Sequence, residues 1–438
     1  MRLSHPLLAL IAAVFAALGT GVRAQSLQEL YEAARAFDAS YLAARSQADA
    51  AVYRAAQADA LNRPSVGLSG SAVAEVIDVP NIGTGDANTV GANLNARYPL
   101  FNRANTVTIA QAQKALLASQ WDLQSAEQDL IVRVAQAYFD VLTAQDALAI
   151  QRSAKVAITE QLASAKRNFE VGTATITDSR EAQARFDLAT AQEIAAENEL
   201  RARRIVLDQL VGRSGVMPKG LALPMTLPST TRTTPDDWVV QADADHPSVQ
   251  RARLGFDVAK LETEKARAGE MPTVDAVAGL GTSNSAGTAA TIAGITSRSR
   301  IGVELNWPLY TGGSVQNRIK ETLSLEDKAR NDLEAVRRGV STNTRTAYYG
   351  LQSGVAQIAA LEAAESSAKL ALEATRLGYR VGIRINLDVL NAERDLFLTQ
   401  FDLARARYNV LLGSLKLRQA AGVLKAEDVR ALDPYLER

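Results

Sequence analysis

The chain is one structural unit written twice, and no other feature constrains its fold as strongly. Pro64, in Asn62-Arg63-Pro64-Ser65-Val66, answers Pro272, in Glu270-Met271-Pro272-Thr273-Val274, 208 positions later. Tyr98-Pro99-Leu100-Phe101 answers Trp307-Pro308-Leu309-Tyr310 at an offset of 209. Val171-Gly172-Thr173 answers Val381-Gly382-Ile383, and Gly212 answers Gly422, both at 210. So steady an offset marks duplication of a whole unit, far longer than the short repeats of solenoids. The copies run over 25–212 and 238–422, and each reads helix, strand, strand, long helix, turn, helix.

What lies outside the copies bounds the chemistry. Residues 1–24 read as a targeting segment: Arg2 and His5, an apolar stretch from Leu7 to Leu18, then the small-residue cleavage site Val22-Arg23-Ala24. That stretch is too short for an ordinary membrane span. Gln25 follows the expected cut where a lipidated protein would carry cysteine, so no lipid anchor is expected. The chain has no cysteine, which excludes disulfides and thiol chemistry. Its 48 basic and 48 acidic residues are interspersed and give no electrostatic case for nucleic acid. After residue 24 the one histidine is His246, which argues against histidine catalysis and imidazole-rich metal sites. His246 precedes Pro247 near a helix start, which suits a capping or surface role. With no phosphate-cradling GxxxxGK loop either, the expectation is a non-enzyme without catalytic, cofactor-binding or metal-binding residues.

Long helices dominate. From 102 to 171 the chain is rich in Ala, Gln, Leu and charged residues, and Leu130, Val134, Ala137, Val141, Ala144 and Leu148 step by four and three. In the last helix Val389, Leu396, Leu403, Val410 and Leu417 recur every seven residues, shadowed by Leu390, Phe397, Ala404 and Leu411. Both are narrow stripes of coiled-coil type. As one helix, 102–171 would span roughly 105 Å, while flanking helices over 26–62 and 173–211 would reach roughly 55–60 Å each. The second copy repeats the proportions, with a helix near 313–381 against shorter ones near 236–270 and 383–421. Each copy is therefore expected to set one continuous rod beside a rod of two pieces. Gly172 and Gly382 suit the left-handed position that closes a helix, with Thr177 and Asn386 as caps of the returning one. The proline-rich stretch 213–237 links the copies near the middle of the rods, and 423–438 is a C-terminal tail.

Between the helices the hydrophobic period changes to two. Val66, Leu68, Ala72, Ala74 and Val76 oppose Ser65, Ser69, Ser71 and Glu75; Val90, Ala92, Leu94, Ala96 and Tyr98 oppose Thr89, Asn93, Asn95 and Arg97. The second copy sets Val274, Ala276, Ala278 and Leu280 against Thr273 and Asp275. It also sets Ile301, Val303, Leu305 and Trp307 against Arg300, Glu304 and Asn306. Strands are expected at about 65–79, 89–101, 273–283 and 299–310, with polar loops over 77–88 and 284–297. Tyr98, Phe101, Trp307 and Tyr310 at the strand ends resemble the interfacial aromatic belt of transmembrane β-strands, and Pro99 and Pro308 suit the bend into a helix. Four strands are too few for a membrane barrel, and open edges do not face lipid, so copies must assemble.

The chain resembles the TolC family of outer-membrane efflux and secretion ducts. The resemblance covers essentially everything after residue 24. It is carried by the duplicated strand exits Tyr98-Pro99-Leu100-Phe101 and Trp307-Pro308-Leu309-Tyr310-Thr311-Gly312-Gly313, the tip segments 168–178 and 377–392, and Ala404-Arg405-Ala406-Arg407-Tyr408-Asn409. It implies an α+β membrane protein of the Gram-negative outer membrane. A homotrimer would close a twelve-stranded barrel, four strands per chain, continued by a helical tunnel in the periplasm. It further implies docking, at tip turns that hold Gly172, Thr173, Gly382 and Ile383, to a periplasmic adaptor and an inner-membrane transporter of the proton-driven (RND) or ABC type. The work implied is type I protein secretion, multidrug efflux, or both.

By the same resemblance, polar links between hairpin tips hold the entrance closed. They fall on Tyr379 and Arg384 of the second hairpin and on Thr177 and Asp178 of the first. Asp388 would form an acidic ring, and the family's usual second acidic ring falls on Asn391, an amide here. Read without the resemblance, Thr177 and Asp178 equally suit helix capping, and Asp388 suits the positive end of a helix. The rival readings are a periplasmic adaptor, which also carries a helical hairpin, and an enzyme or adhesin built on coiled coils.

Overall fold

The computed structural model describes residues 24–79, 83–222, 234–287 and 293–436. Residues 1–23 of the expected targeting segment, and parts of the two strand loops and of the linker, lie outside the described residues. Helices α1 (Leu27–Phe37) and α2 (Ala39–Asp59) lead into strands β1 (Ser65–Val79) and β2 (Gly83–Phe101). Helices α3 (Arg103–Glu170) and α4 (Ile176–Val211) complete the first copy. The second copy supplies α5 (Pro235–Asp245), α6 (Pro247–Ala268), β3 (Thr273–Ala286), β4 (Gly294–Asn306), α7 (Ser314–Arg380) and α8 (Asn386–Ala420). A short α9 (Ala426–Arg430) follows. No helix among the described residues is long and apolar enough to cross a membrane.

The chain divides into two compact units, and α3 and α7 each contribute a stretch to both. The first unit takes residues up to 44, 124–246 and from 338 on. Its core is the pair of stripes seen in the sequence. Leu130, Val134, Ala137, Val141, Ala144 and Leu148 are all buried, as are Val389, Leu396, Leu403, Val410 and Leu417. Alanine and glycine between the larger residues let helices approach closely; Gly413 lies within reach of the Leu351 side chain. On the part of α3 far from the tip turn, polar groups tie three separate segments together. The Tyr138 hydroxyl donates to the carbonyls of Gln25 and Lys219, at 3.3 and 3.0 Å, and Gln128 Nε2 donates to those of Gly422 and Leu424, at 2.9 and 3.2 Å. Bridges Gln25↔Pro218 and Leu221↔Leu436 add the start of the linker and the C-terminal tail.

Two expected helices are broken. The helix expected over 26–62 stops at Phe37 and restarts at Ala39, because Asp38 adopts an extended conformation (φ −60°, ψ 116°). Its carboxylate accepts from Tyr41 N at 2.8 Å, capping the next helix, and receives a two-pronged bond from Arg133 at 2.9 Å on both oxygens. That guanidinium holds the Asp38 carboxyl below the usual carboxylate range against the opposing effect of burial. The second copy breaks at the equivalent place. His246 ends α5 with its N–H on the Ala242 carbonyl at 3.0 Å, and Pro247 begins α6. His246 is therefore half-buried at a helix junction, and burial lowers its pKa. The duplicated Gly212 and Gly422 pack against these breaks. Each has positive φ, 69° and 75°. A Cβ on Gly212 would lie 2.6 Å from Cδ2 of the Phe37 ring. One on Gly422 would lie 2.8 Å from the backbone nitrogen of His246 and closer still to its Cα.

The second unit takes residues 45–123 and 247–337, which hold the four strands and the helix stretches that flank them. The N-terminal half of α3 runs along α6 on a ladder of polar pairs: Arg103–Glu264 and Lys114–Asp257 at 3.0 Å, Gln111–Glu262 at 2.9 Å and Asp122–Arg251 at 2.8 Å. The sheet is antiparallel throughout in the order β1-β2-β3-β4. The strands exceed the expected ones at their loop ends. β2 begins at Gly83 rather than 89, β3 runs on to Ala286, and β4 begins at Gly294 rather than 299. Gly, Thr, Ser and Asn in these stretches carry no apolar period, yet their backbones pair in register, as in Val76↔Asp86 and Ser285↔Gly294. At the opposite end β4 stops at Asn306, so Trp307, Pro308 and Tyr310 lie beyond it, in contrast to the expected strand to 310. Pro99 remains inside β2 and the register shifts between Pro99 and Phe101, as a residue without an N–H requires.

Candidate functional site

The residues singled out in the sequence fall on two surfaces: the hairpin tips in the first unit and the sheet in the second. Both tips are the same turn. At the first, the Asn168 carbonyl accepts from Thr173 N (2.8 Å) and Ala174 N (3.2 Å) while Gly172 takes φ 77°. At the second, the Gly378 carbonyl accepts from Ile383 N (2.9 Å) and Arg384 N (3.3 Å) while Gly382 takes φ 84°. No Cβ-bearing residue adopts that conformation without strain, which is why both copies keep glycine there.

The caps lie slightly upstream of the expected ones. Thr175, not Thr177, caps α4: its Oγ1 accepts from Asp178 N at 3.2 Å, and Asp178 Oδ2 accepts from Thr175 N at 2.9 Å. Thr177 is exposed in the first turn. In the second tip Ile385 occupies the capping position and offers no side-chain acceptor; Asn386, expected as the cap, is the first residue of α8 and is buried. Asp388, the counterpart of Asp178, accepts from Ile385 N at the long distance of 3.4 Å. It also lies 3.7 Å from Arg384 Nη1. The copies thus share an acid but spend it differently. Asp178 is committed to its own helix end, whereas Asp388 is weakly held there and faces a cation that replaces Ala174.

Tyr379 and Arg384 were expected opposite Thr177 and Asp178. Within the chain, Asn168 Nδ2 donates to the Tyr379 hydroxyl at 3.4 Å, and Arg384 pairs with Asp388. Asn391, half-buried, follows Asp388 by three residues, which places the two on one face of α8. Further polar links hold the tip region where no sequence pattern marks them. Between the hairpins, Gln161 Nε2 donates to Asn386 Oδ1; within the second hairpin, Arg376 of α7 holds the buried Glu393 of α8 at 2.7 Å. Gly378 was also missed; a Cβ there would lie 2.8 Å from Arg384 Cγ, so glycine makes room for that arginine. Its signal was the Leu377-Gly378-Tyr379 run, a glycine inside an otherwise helical pattern.

On the sheet, the face expected to be apolar is exposed in the single chain: Leu68 is 77% and Ile301 90% accessible, with Val66, Val76, Val90 and Val303 also exposed. Cross-strand register makes it one surface, as in the row Val66↔Ala96↔Ala278↔Ile301. The opposite face carries Ser69, Asn93, Asn95, Arg298 and Arg300, and Arg97 bridges to Asp275 across β2 and β3 at 2.5 Å. Tyr98, Phe101, Trp307 and Tyr310 are exposed at the helix-proximal end, where Trp307 Nε1 donates to the Glu270 carbonyl at 3.3 Å; Pro99 and Pro308 are half-buried. An apolar face, a polar face opposite it and aromatic residues at one end are what a strand shared between lipid and water requires.

Long helical hairpins with matched tips and a four-stranded sheet of this kind mark the class of outer-membrane efflux and secretion channel proteins. Comparison with known proteins agrees. The model of the outer membrane efflux protein family matches residues 30–213 and 238–423, and the chain belongs to that family. It is 33% identical over 430 residues to outer membrane protein TolC of Vibrio cholerae, covering 97% of each chain. It is 32% identical over 348 residues to the alkaline protease secretion protein AprF of Pseudomonas aeruginosa, covering 78% of this chain and 72% of that one. The fold matches the crystal structure of the outer membrane protein VceC of Vibrio cholerae with a TM-score of 0.76, at 20% identity over 90% of this chain and 96% of that one. The family assignment places the protein in the Gram-negative outer membrane and sets aside the adaptor alternative. Its relatives are channel and efflux proteins rather than enzymes.

Proposed function

We propose that the protein is the passive outer-membrane duct of a tripartite export system. Three copies close a twelve-stranded barrel and continue it as a helical tunnel. A periplasmic adaptor grips the tip turns around Gly172, Thr173, Gly382 and Ile383, and an inner-membrane transporter, proton-driven or ABC-type, supplies the energy. The cargo is a secreted protein, a drug, or both, handed over at the tips. The observation that carries this reading is the four-stranded sheet whose apolar face is exposed and whose outer strands, β1 and β4, each pair on one side only within the chain. Such a sheet is unstable in lipid until its edges are paired, and it faces water badly on its apolar side.

The tips act as the gate in this proposal, with Tyr379, Arg384 and Asp388 of the second hairpin as the latch, Thr177 and Asp178 of the first as its counterpart, and Asn391 lining the same face. Arg384 is well exposed and its pair with Asp388 is long. Exposed ion pairs contribute about 0–1 kcal/mol each, so three symmetry-related latches hold the entrance yet yield to a docking partner. Single-channel recording in planar bilayers tests the assignment. Arg384→Ser is expected to raise conductance above the wild-type closed level; an unchanged closed level removes Arg384 from the gate.

A further inference from the structure

The duplication fixes how one copy's sheet meets the next. Within the chain, the β1–β2 and β3–β4 hairpins are superimposed by the repeat offsets: Ser65↔Arg97 becomes Thr273↔Asn306, and Val76↔Asp86 becomes Asn284↔Ile295. The β2–β3 seam joins the end of one hairpin to the start of the next. In a closed ring its equivalent is the seam between β4 of one copy and β1 of its neighbour. Carrying Gly91↔Ser283 and Leu94↔Leu280 through the same offsets gives Arg300 opposite Glu75 and Val303 opposite Ala72.

We propose that β4 of one copy pairs antiparallel with β1 of a second copy in the register that sets Arg300 against the neighbouring copy's Glu75. The proposal deepens the duct reading and rests on it. Three observations support this register. It keeps parity, so apolar residues meet apolar residues and the pleat is continuous across the seam. It places opposite charges directly across from each other on the polar face, a favourable cross-strand pair, and neither Glu75 nor Arg300 has an ion-pair partner among the described residues. The internal seam is already closed by an acid and a base of the same kind, Arg97 with Asp275 at 2.5 Å. A two-fold pairing of β1 with β1 at Glu75 would instead set like charges together. The head-to-tail arrangement is the one that closes a ring.

The chain has no cysteine, so disulfide trapping reads the register without background. The full-length double variant Glu75→Cys with Arg300→Cys, oxidised in outer membranes, is expected to give covalent oligomers up to the trimer. Two controls shift the register by two residues either way: Glu75→Cys with Arg298→Cys, and Glu75→Cys with Gly302→Cys, the latter in open space. Directly opposed Cβ atoms lie ~5 Å apart and shifted ones ~7 Å or more, so the predicted pair should outperform each control by about tenfold. Preferential cross-linking of a control, with oligomers intact, overturns the register and leaves the duct standing. Absence of any oligomer, cross-linked or not, overturns the duct reading and the register with it. As a second readout, Glu75→Arg and Arg300→Glu should each lower the temperature at which oligomers dissociate, and the combined swap should restore it; no recovery in the swap contradicts the charge pairing.

Discussion

Gly422→Ala should destabilise the protein far more than Gly172→Ala, although both glycines have nearly the same backbone. Gly172 has φ 77° and a Cβ there would meet nothing within 4 Å, so alanine meets conformational strain alone, about 1 kcal/mol. Gly422 has φ 75° and would place its Cβ against the His246 backbone, 2.8 Å from the nitrogen and 3.0 Å from the Asp245 carbonyl carbon. Those atoms belong to the junction of α5 and α6 and move only if the junction moves. Overpacking of that kind adds about 1–3 kcal/mol to the strain, for a total of about 2–4 kcal/mol. The shift would also disturb the Gly422 carbonyl that accepts from Gln128. The assay is the midpoint of heat-induced loss of helical circular dichroism for the purified protein in detergent, with the two variants compared at one scan rate. Equal midpoints for Gly422→Ala and Gly172→Ala would refute the claim that the duplicated glycine serves close packing against the helix break.

Asp38 and Arg133 should give the first unit a pH-dependent element. The folded Asp38 carboxyl sits below its usual range, so its contribution is present above the unfolded value near ~3.9 and is lost as pH falls through the lowered folded value. Asp38→Asn is expected to cost about 1–3 kcal/mol at pH 7, measured by thermal or denaturant unfolding, with the difference from wild type vanishing in acid. A constant difference at all pH values would contradict this. At the tips, Thr175→Ala removes a cap worth about 1 kcal/mol and should speed amide exchange in the first turn of α4 about fivefold, read by hydrogen–deuterium exchange. Ile385→Thr supplies the missing cap and should slow exchange at the start of α8; a change in neither helix would mean that tertiary contacts, not caps, hold these ends.

The long-period features of this fold were legible because they follow from repetition. The heptad stripe Val389, Leu396, Leu403, Val410 and Leu417 is buried along its whole length, and Gly172 and Gly382 take the left-handed conformation their position suggested. The helix breaks were not legible. Asp38 lies in an unbroken Ala-rich pattern, and its extended conformation is secured by Arg133, ninety-five residues away in sequence. Thr175 and Thr177 are equivalent as capping residues by type, and only the length of the turn that starts at Asn168 selects the first. The polar strand ends escaped for a different reason. Gly83 to Asn88 and Gly294 to Arg298 have little apolar alternation, so backbone pairing alone reveals them. At the candidate gate, it was the family resemblance that singled out Arg384, Asp388 and Tyr379, whereas the links Asn168–Tyr379 and Gln161–Asn386 depend on how two hairpins lie together.

The central claim is that this sheet is a fragment of a barrel that only several copies complete. Native mass spectrometry of the full protein, extracted from outer membranes in mild detergent, tests it most directly. A single species with the mass of three mature chains is predicted, together with no stable monomer. A folded monomer, or any stoichiometry other than three, would contradict the account.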